Sequence, residues 1–429
     1  MRNYFLCAIS LLLMFFLAHQ PRLKAQIIAD HTVVDKYSQI PDYWISEVKK
    51  MWVDIPGESH SKGIRIGCYL LENLDERFQV SIRESGVPEG YTDQHMRLSR
   101  ATWGDYNNAG NWIYNFGEED WFTNSLAIER TKAHLTYCNT NNLQIAAMGF
   151  GWCWDMTSDN WPGGTPDPEH QVRWAGRTYN GPEGNRRWGL NSADAELTGN
   201  SVSMDTYLNA TVEYINHCLQ NGYPTRVFFT TGPVDGNSNR GENGYQRSIK
   251  HNYIKNFVSN SADYVLFDYA DILCHSDAGD EQTLNWTDFG GVSRTFQFIH
   301  DDNMLDLDGS YTEDGDHIGQ RGALRLAKAL WWMLARMAGW DGQPLSSDVS
   351  AAEQPQFYPN PSNGGVYLKN FNIFGPCKIS IFDVNGRKLN EMDFSSGNSW
   401  LDVSNLSAGV YILQLNSKGS SFYQRIVKQ

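Results

Sequence analysis

A basic surplus is missing from this sequence. Lys and Arg total 35 against 49 Asp and Glu over 429 residues, a formal charge of −14. That balance excludes nucleic acid and anionic membrane as favoured partners, because both are bound through Lys and Arg. Long apolar runs are nearly missing as well. Phe5 to Ala18 is such a run, preceded by Arg2 and followed by Leu23-Lys24-Ala25 before Gln26. This is the layout of a secretory signal peptide over residues 1–25, too short and wrongly flanked for a spanning helix. No integral membrane segment is expected after its removal. Cysteine is sparse: besides Cys7 in the leader there are Cys68, Cys138, Cys153, Cys218, Cys274 and Cys377, with no C-x-x-C pair among them. No zinc site, other metal or cofactor is therefore expected, and these cysteines read as buried thiols with at most one or two bridges.

Aromatic residues, by contrast, are abundant at 13%, with 15 Trp. Trp152, Trp154, Trp161, Trp174 and Trp188 fall in one Gly/Pro-rich stretch that also carries Arg173, Arg177, Arg186 and Arg187. In an exported protein such indoles can stack on pyranose rings, and the guanidinium groups can clamp a carboxylate-bearing sugar. The competing reading is that the indoles fill the core and the arginines pair with the acidic excess. Trp154, Trp174, Arg177 and Trp188 are the candidate substrate contacts.

The chain is long enough for two or three domains. Met51 to Ile55 reads as a strand, Ile64 to Leu74 as a helix, and Ser81 to Gly117 as loop. A helix over Glu118 to Asn142 leads into a strand over Leu143 to Met148. Residues Trp152 to Asn200 form a long irregular segment, a length that usually marks function. Ser203 caps a helix that Gly222 ends, Arg226 to Thr231 is a strand, Gly244 to Ser259 a helix and Tyr264 to Ile272 a strand. After an acidic loop the run Ile318 to Trp340 is the last helix. Alternating strands and helices predict an α/β domain over residues 26–340, with a parallel sheet and helices on both faces. Residues 341–354 read as a linker. The remainder, 355–429, reads as a small β-sandwich of short alternating strands around the Asn385-Gly386 turn.

Two turns carry the chemistry. In Asp314-Gly315-Asp316-His317 the Asp lies three residues before the His, so a carboxylate can hold one ring nitrogen while the other faces a nucleophile. Gly57-Glu58-Ser59-His60-Ser61-Lys62-Gly63 follows a strand and offers that nucleophile: Ser59, or Ser61 as a second candidate. The bland alternatives are helix caps: Ser59 for the helix over Ile64, and Asp314 and Asp316 for the last helix. The acidic run from Asp301 to Gly309 fails the EF-hand pattern, since Tyr311 stands at the sixth position counted from Asp306, where Gly is required.

Two resemblances follow from these motifs. The first stretch and Asp314-Gly315-Asp316-His317 resemble the first and last sequence blocks of the SGNH (GDSL-type) hydrolases, with Glu58 in place of the usual Asp. That resemblance spans roughly Lys50 to Gly339 and implies a flavodoxin-like fold. It also implies a Ser59–His317–Asp314 site and an oxyanion hole formed by the backbone N–H groups of Ser59 and Gly104. The family's third block, Gly-x-Asn-Asp, falls on Gly149-Phe150-Gly151-Trp152-Cys153-Trp154-Asp155, which has no asparagine. A backbone donor near Gly151, the Trp152 indole or Asn191 would have to replace it.

The second resemblance is carried by Tyr358-Pro359-Asn360-Pro361, Ile381-Phe382-Asp383-Val384-Asn385-Gly386-Arg387, Leu406-Ser407-Ala408-Gly409-Val410-Tyr411 and the terminal Gln424-Arg425-Ile426-Val427-Lys428. These residues resemble the type A sorting domain of the type IX secretion system. That implies a Bacteroidota-type bacterium, engagement of the type IX machinery by residues 355–429, and release or attachment at the outer cell surface. The combined expectation is a secreted serine esterase that removes O-acyl groups, acetyl foremost, from an acylated polysaccharide or oligosaccharide. Two alternatives stand beside it: an impaired SGNH-fold protein that only binds surface glycan, and a lipase or thioesterase.

Overall fold

Short strands that are apolar on both sides organise the larger part of the chain. In the computed structural model β1 (Ile27–Ala29), β2 (Trp52–Asp54), β3 (Val80–Arg83), β4 (Met96–Ser99), β5 (Ala147–Gly149), β6 (Arg226–Thr230) and β7 (Val265–Phe267) form one sheet in the order β1-β7-β6-β5-β2-β4-β3. All its pairings are parallel. Alternate residues feed two separate cores. Val53, Phe228, Val265 and Phe267 pack with the helices Asp42–Lys49, Ser61–Leu74 and Gln320–Ala338. Trp52, Val227, Phe229 and Leu266 pack with Ser125–Thr140, Met204–Asn221 and Gly241–Ser259. A sheet covered on both faces explains why β6 and β7 are continuous apolar runs rather than alternating ones.

The structure describes residues 26–57, 59–104, 112–114, 120–157, 164–176, 187–235, 240–304, 317–343, 356–369, 377–383, 387–394, 400–417 and 420–429. The signal peptide, Asp314, Arg177 and the Asn385-Gly386 turn lie outside them. The chain divides into two units, 1–343 and 344–429.

Several elements depart from the sequence reading. The stretch read as loop from Ser81 contains part of β3 and all of β4, whose polar residues (Ser81, Arg83, Arg97, Ser99) hide the apolar signal. Arg97 is nevertheless buried, and its guanidinium donates to the Lys50 carbonyl at 2.9 Å. The segment over Tyr264 to Ile272 is a three-residue strand followed by the helix Tyr269–Cys274, because the Asp268 carboxylate caps the Asp271 N–H. The acidic loop holds an antiparallel hairpin of Thr283–Thr287 with Ser293–Gln297. β1 and the helix Asp42–Lys49, which the sequence did not signal, complete the sheet edge and one helical layer.

In the second unit, Gln356–Tyr358, Gly365–Lys369 and Trp400–Asp402 form one antiparallel sheet, and Cys377–Asp383, Lys388–Phe394, Gly409–Ser417 and Ser420–Lys428 another. Phe357, Val366 and Leu401 from the first sheet share a core with Ile379, Leu413 and Ile426 from the second. Five cysteines among the described residues, Cys68, Cys138, Cys153, Cys218 and Cys274, are free thiols, and all but Cys153 are buried.

Candidate active site

From β2 the chain runs outward to β4 and β3 on one side and to β5, β6 and β7 on the other. The carboxyl ends of β2 and β5 therefore flank a topological switch point, where open parallel sheets place their ligands. Ser59 follows β2 and Cys153 follows β5. Their approach is fixed by Gly57, which has φ +119° and bridges to Gly151; a Cβ on Gly57 would lie 2.2 Å from the Gly151 carbonyl oxygen.

His317 arrives from the far end of the sequence. The helix that follows it, Gln320–Ala338, lies so close to Ser61–Leu74 that a Cβ on Gly67 would stand 1.9 Å from the Ala323 carbonyl oxygen. Just before that helix, Ile318 bridges to Met304, and the Gly319 N–H donates to the Asn303 carbonyl at 2.9 Å. Asn303 in turn donates through Nδ2 to the carbonyls of Leu273 (2.9 Å) and His275 (2.8 Å). These contacts hold the turn, so the amino ends of two packed helices meet. Ser59 Oγ lies 3.3 Å from His317 Nε2 and 3.0 Å from Cys153 Sγ.

A second histidine stands behind the first. His60 is 1% exposed, and its Nε2 donates to the equally buried Asp235 carboxylate at 2.8 Å. Its ring centroid is 4.4 Å from that of His317, and the half-buried Trp154 packs on the other imidazole at 4.2 Å. The two rings are driven apart electrostatically. Burial opposes charging His60, but Asp235 and the Cys153 sulfur outweigh it and push the imidazolium up to about 10. Burial and the neighbouring His60 cation push His317 down to about 4, against a smaller pull from Asp235. Asp235 is held below the usual carboxylate range because His60, His317 and Arg247 together outweigh its burial. At neutral pH the arrangement is His60⁺ with Asp235⁻, beside a neutral His317 that can accept a proton from Ser59.

Other expected site residues are engaged elsewhere. The Trp152 indole is buried and donates to the Thr230 carbonyl at 3.2 Å, so it is no oxyanion donor. The Gly151 N–H is likewise occupied, by the Pro56 carbonyl at 2.8 Å. Asn191 caps the turn Ser192–Asp194, its side-chain oxygen accepting from the Ala193 N–H. Gly104 sits in the two-residue strand Trp103–Gly104, paired with Trp112–Ile113. Ser61 is buried, and its hydroxyl accepts from Arg65 at 3.1 Å.

Trp174 and Trp188 are core residues rather than sugar platforms. Both rings pack around Lys250 Nζ, at 5.6 and 4.9 Å, while that ammonium donates to the carbonyls of Met156 and Ala175 at 2.6 Å each. Lys250 thus ties Met156 to Ala175 within the Trp-rich segment, and its burial pushes it down to about 7. Arg173 is paired with Glu242. Of the substrate contacts expected from sequence, Trp154 remains beside the site.

Sequence reasoning passed over His60, Cys153 and Asp235. His60 adjoins Ser59, and the other two lie in the turns that follow β5 and β6. What was missing was the pairing of His60 with a carboxylate 175 residues away.

Residues 356–429 match the family model of the secretion system C-terminal sorting domain. This is a type IX sorting domain, and the protein is secreted or attached at the outer surface. No described helix is long and apolar enough to cross a membrane. No curated protein matches the chain. Among solved structures, a Cellulomonas fimi endo-β-1,4-mannanase double mutant aligns over 94% of this chain and 100% of its own, at 10% identity and a TM-score of 0.20. A modular endo-β-1,4-mannanase from Cellulomonas fimi, of glycoside hydrolase family 26, aligns over 94% and 99%, at 8% identity and a TM-score of 0.22. Scores this low establish no common fold.

Proposed function

We propose that the α/β domain is an SGNH-type serine hydrolase that removes O-acyl groups, with acetyl the first to test, from a glycan outside the cell. The observation that carries this reading is the 3.3 Å approach of Ser59 Oγ to His317 Nε2, across 258 residues of sequence. In the reaction Ser59 Oγ attacks the acyl carbon as His317 Nε2 takes its proton. The tetrahedral intermediate then expels the sugar oxygen, which recovers that proton, and a water activated by the same imidazole hydrolyses the acyl-serine. The glycan follows from export and from Trp154 at the rim, which is a narrower basis than the five indoles suggested. Ser59→Ala should abolish acetate release from acetylated polysaccharides and turnover of aryl acetates. Retention of wild-type turnover would remove Ser59 as nucleophile.

A second reading has its own observation. Cys153 Sγ stands beside Ser59 and next to His60, whose far nitrogen is held by Asp235; that is a thiol, imidazole and carboxylate in sequence. If Cys153→Ala rather than Ser59→Ala removes turnover, the thiol is the nucleophile.

A further inference from the structure

One nitrogen from each of His60 and His317, together with Cys153 Sγ, lie within 4.8 Å of one another. For His60 the choice of nitrogen is settled by its surroundings. Nε2 is bound to Asp235, and Nδ1 is buried without a hydrogen-bond partner among the described residues. On His317 it is Nε2 that faces Ser59 and, with it, Cys153.

We propose that His60 Nδ1, Cys153 Sγ and His317 Nε2 form a binding site for a soft divalent cation of the Zn²⁺ type, and that an ion bound there blocks acyl transfer. Three observations converge on it. The donor set of two imidazoles and one thiol is the one that borderline-soft cations select over Mg²⁺ or Ca²⁺, which prefer oxygen. Tetrahedral coordination at about 2.0–2.3 Å spaces its ligands roughly 3.3–3.7 Å apart, so side chains already within 4.8 Å need only a small closure. Finally, His60 carries an outer partner: Asp235 orients the ring so that its other nitrogen points at the cluster, the carboxylate–histidine arrangement that supports metal ligands. Ser59 Oγ, close to both Cys153 and His317, adjoins the fourth position.

Binding would displace the thiol proton and leave both imidazoles neutral, so affinity should rise with pH. The inhibitory consequence rests on the Ser59–His317 reading, because the metal would occupy the lone pair that must take the serine proton. Cation binding itself does not depend on that reading. The His31, Asp271 and His275 side chains form another cluster of possible ligands, and it contains no sulfur.

The test is Co²⁺ titration of the chelator-treated full chain under reducing conditions, followed by optical absorption, with aryl-acetate turnover measured in parallel with and without Zn²⁺. One equivalent of Co²⁺ should produce a thiolate-to-cobalt charge-transfer band. That band should be lost in Cys153→Ala, reduced in both intensity and affinity in His317→Ala, and unchanged in His31→Ala. Absence of the band, or its survival in Cys153→Ala, overturns the site. Zn²⁺ should lower turnover at least tenfold, and a chelator should restore it. If Co²⁺ binds as described while Zn²⁺ leaves turnover intact, the metal site stands and the role of His317 as base falls. If Ser59→Ala is inactive but no thiolate band forms, the hydrolase reading stands and the metal site falls. Turnover lost on chelation and restored by Zn²⁺ would overturn the inhibitory assignment.

Discussion

Replacing Gly67 with Ala should separate the two halves of the candidate site without touching either. Gly67 lies mid-way along Ser61–Leu74, where its missing side chain admits the backbone of Gln320–Ala338, and a Cβ would sit 1.9 Å from the Ala323 carbonyl oxygen. Ordinary carbon–oxygen contact needs roughly 1.5 Å more. The obstacle is main chain in a buried helix, so the helices must move apart, since no side chain can turn aside. Overpacking of this kind costs about 1–3 kcal/mol, and a backbone clash belongs at the upper end. A domain stable by about 5–15 kcal/mol survives that loss and remains largely folded at room temperature.

The helices carry Ser59 and His317 at their amino ends, so the 3.3 Å contact should lengthen. A displacement near 1 Å is worth roughly 10²-fold in rate. Urea unfolding by circular dichroism, paired with aryl-acetate kinetics on the folded fraction, separates the two effects. Expected are a midpoint lowered by about 3 kcal/mol in equivalent stability and a kcat reduced on the order of 10²-fold. Gly90→Ala, where a Cβ meets nothing within 4 Å, should leave both unchanged. A Gly67→Ala protein as stable and active as the parent would refute the close helix contact and, with it, the way His317 is positioned.

Other outcomes follow from the same contacts. Lys250→Met should unfold more easily, because two buried carbonyls lose their donor at about 1–3 kcal/mol each. The folded protein releases the Lys250 proton near 7, whereas the unfolded chain keeps it to about 10.5. Through that window the parent should therefore gain stability with rising pH relative to Lys250→Met, by about 1.4 kcal/mol per pH unit. Equal slopes in urea titrations at pH 7.5 and 9.5 would contradict a buried, neutralised lysine. Trp188→Ala should cost about 3–5 kcal/mol in unfolding experiments as a core cavity, with any effect on turnover explained by unfolding. Trp154→Ala should leave the melting point nearer the parent's and raise KM for polymeric substrate more than for aryl acetate. Similar behaviour of the two variants would remove Trp154 from the substrate rim.

How much of this could be read from the sequence depended on where each signal lies. β6 and the helix capped by Ser203 and closed by Gly222 were legible because their patterns are local and nearly continuous. β4 was not, because Arg97 and Ser99 enter the interior only through acceptors supplied by distant segments. Trp174 and Trp188 were misread for a related reason: the local composition of their segment gives no hint of Lys250, which arrives from the distant helix Gly241–Ser259 to pack against both rings. Ser59 and His317 announced themselves by motif. The residues that set their electrostatic environment had no motif at all.

That environment assigns the roles of the two histidines. With their rings 4.4 Å apart, two imidazolium ions would repel by several kcal/mol even at an effective dielectric near 20, so only one is charged at neutral pH. Asp235 decides which. It accepts from His60, so His60 holds the proton and His317 is left neutral, with its base strength lowered; this is the divergence expected of two titrating groups that share a site with divided roles. Replacing Asp235 with Asn should remove the main reason for His60 to stay charged, leaving only the smaller contribution of Cys153. His317 would lose the repulsion that depresses it and also the smaller upward pull of Asp235, while its burial remains. In metal-free enzyme the acid limb of kcat/KM should consequently move up from about 4 toward 6.5 without reaching it. A limb that stays in place, or moves down, would mean that His60 is neutral in the parent and that some other group protects the base.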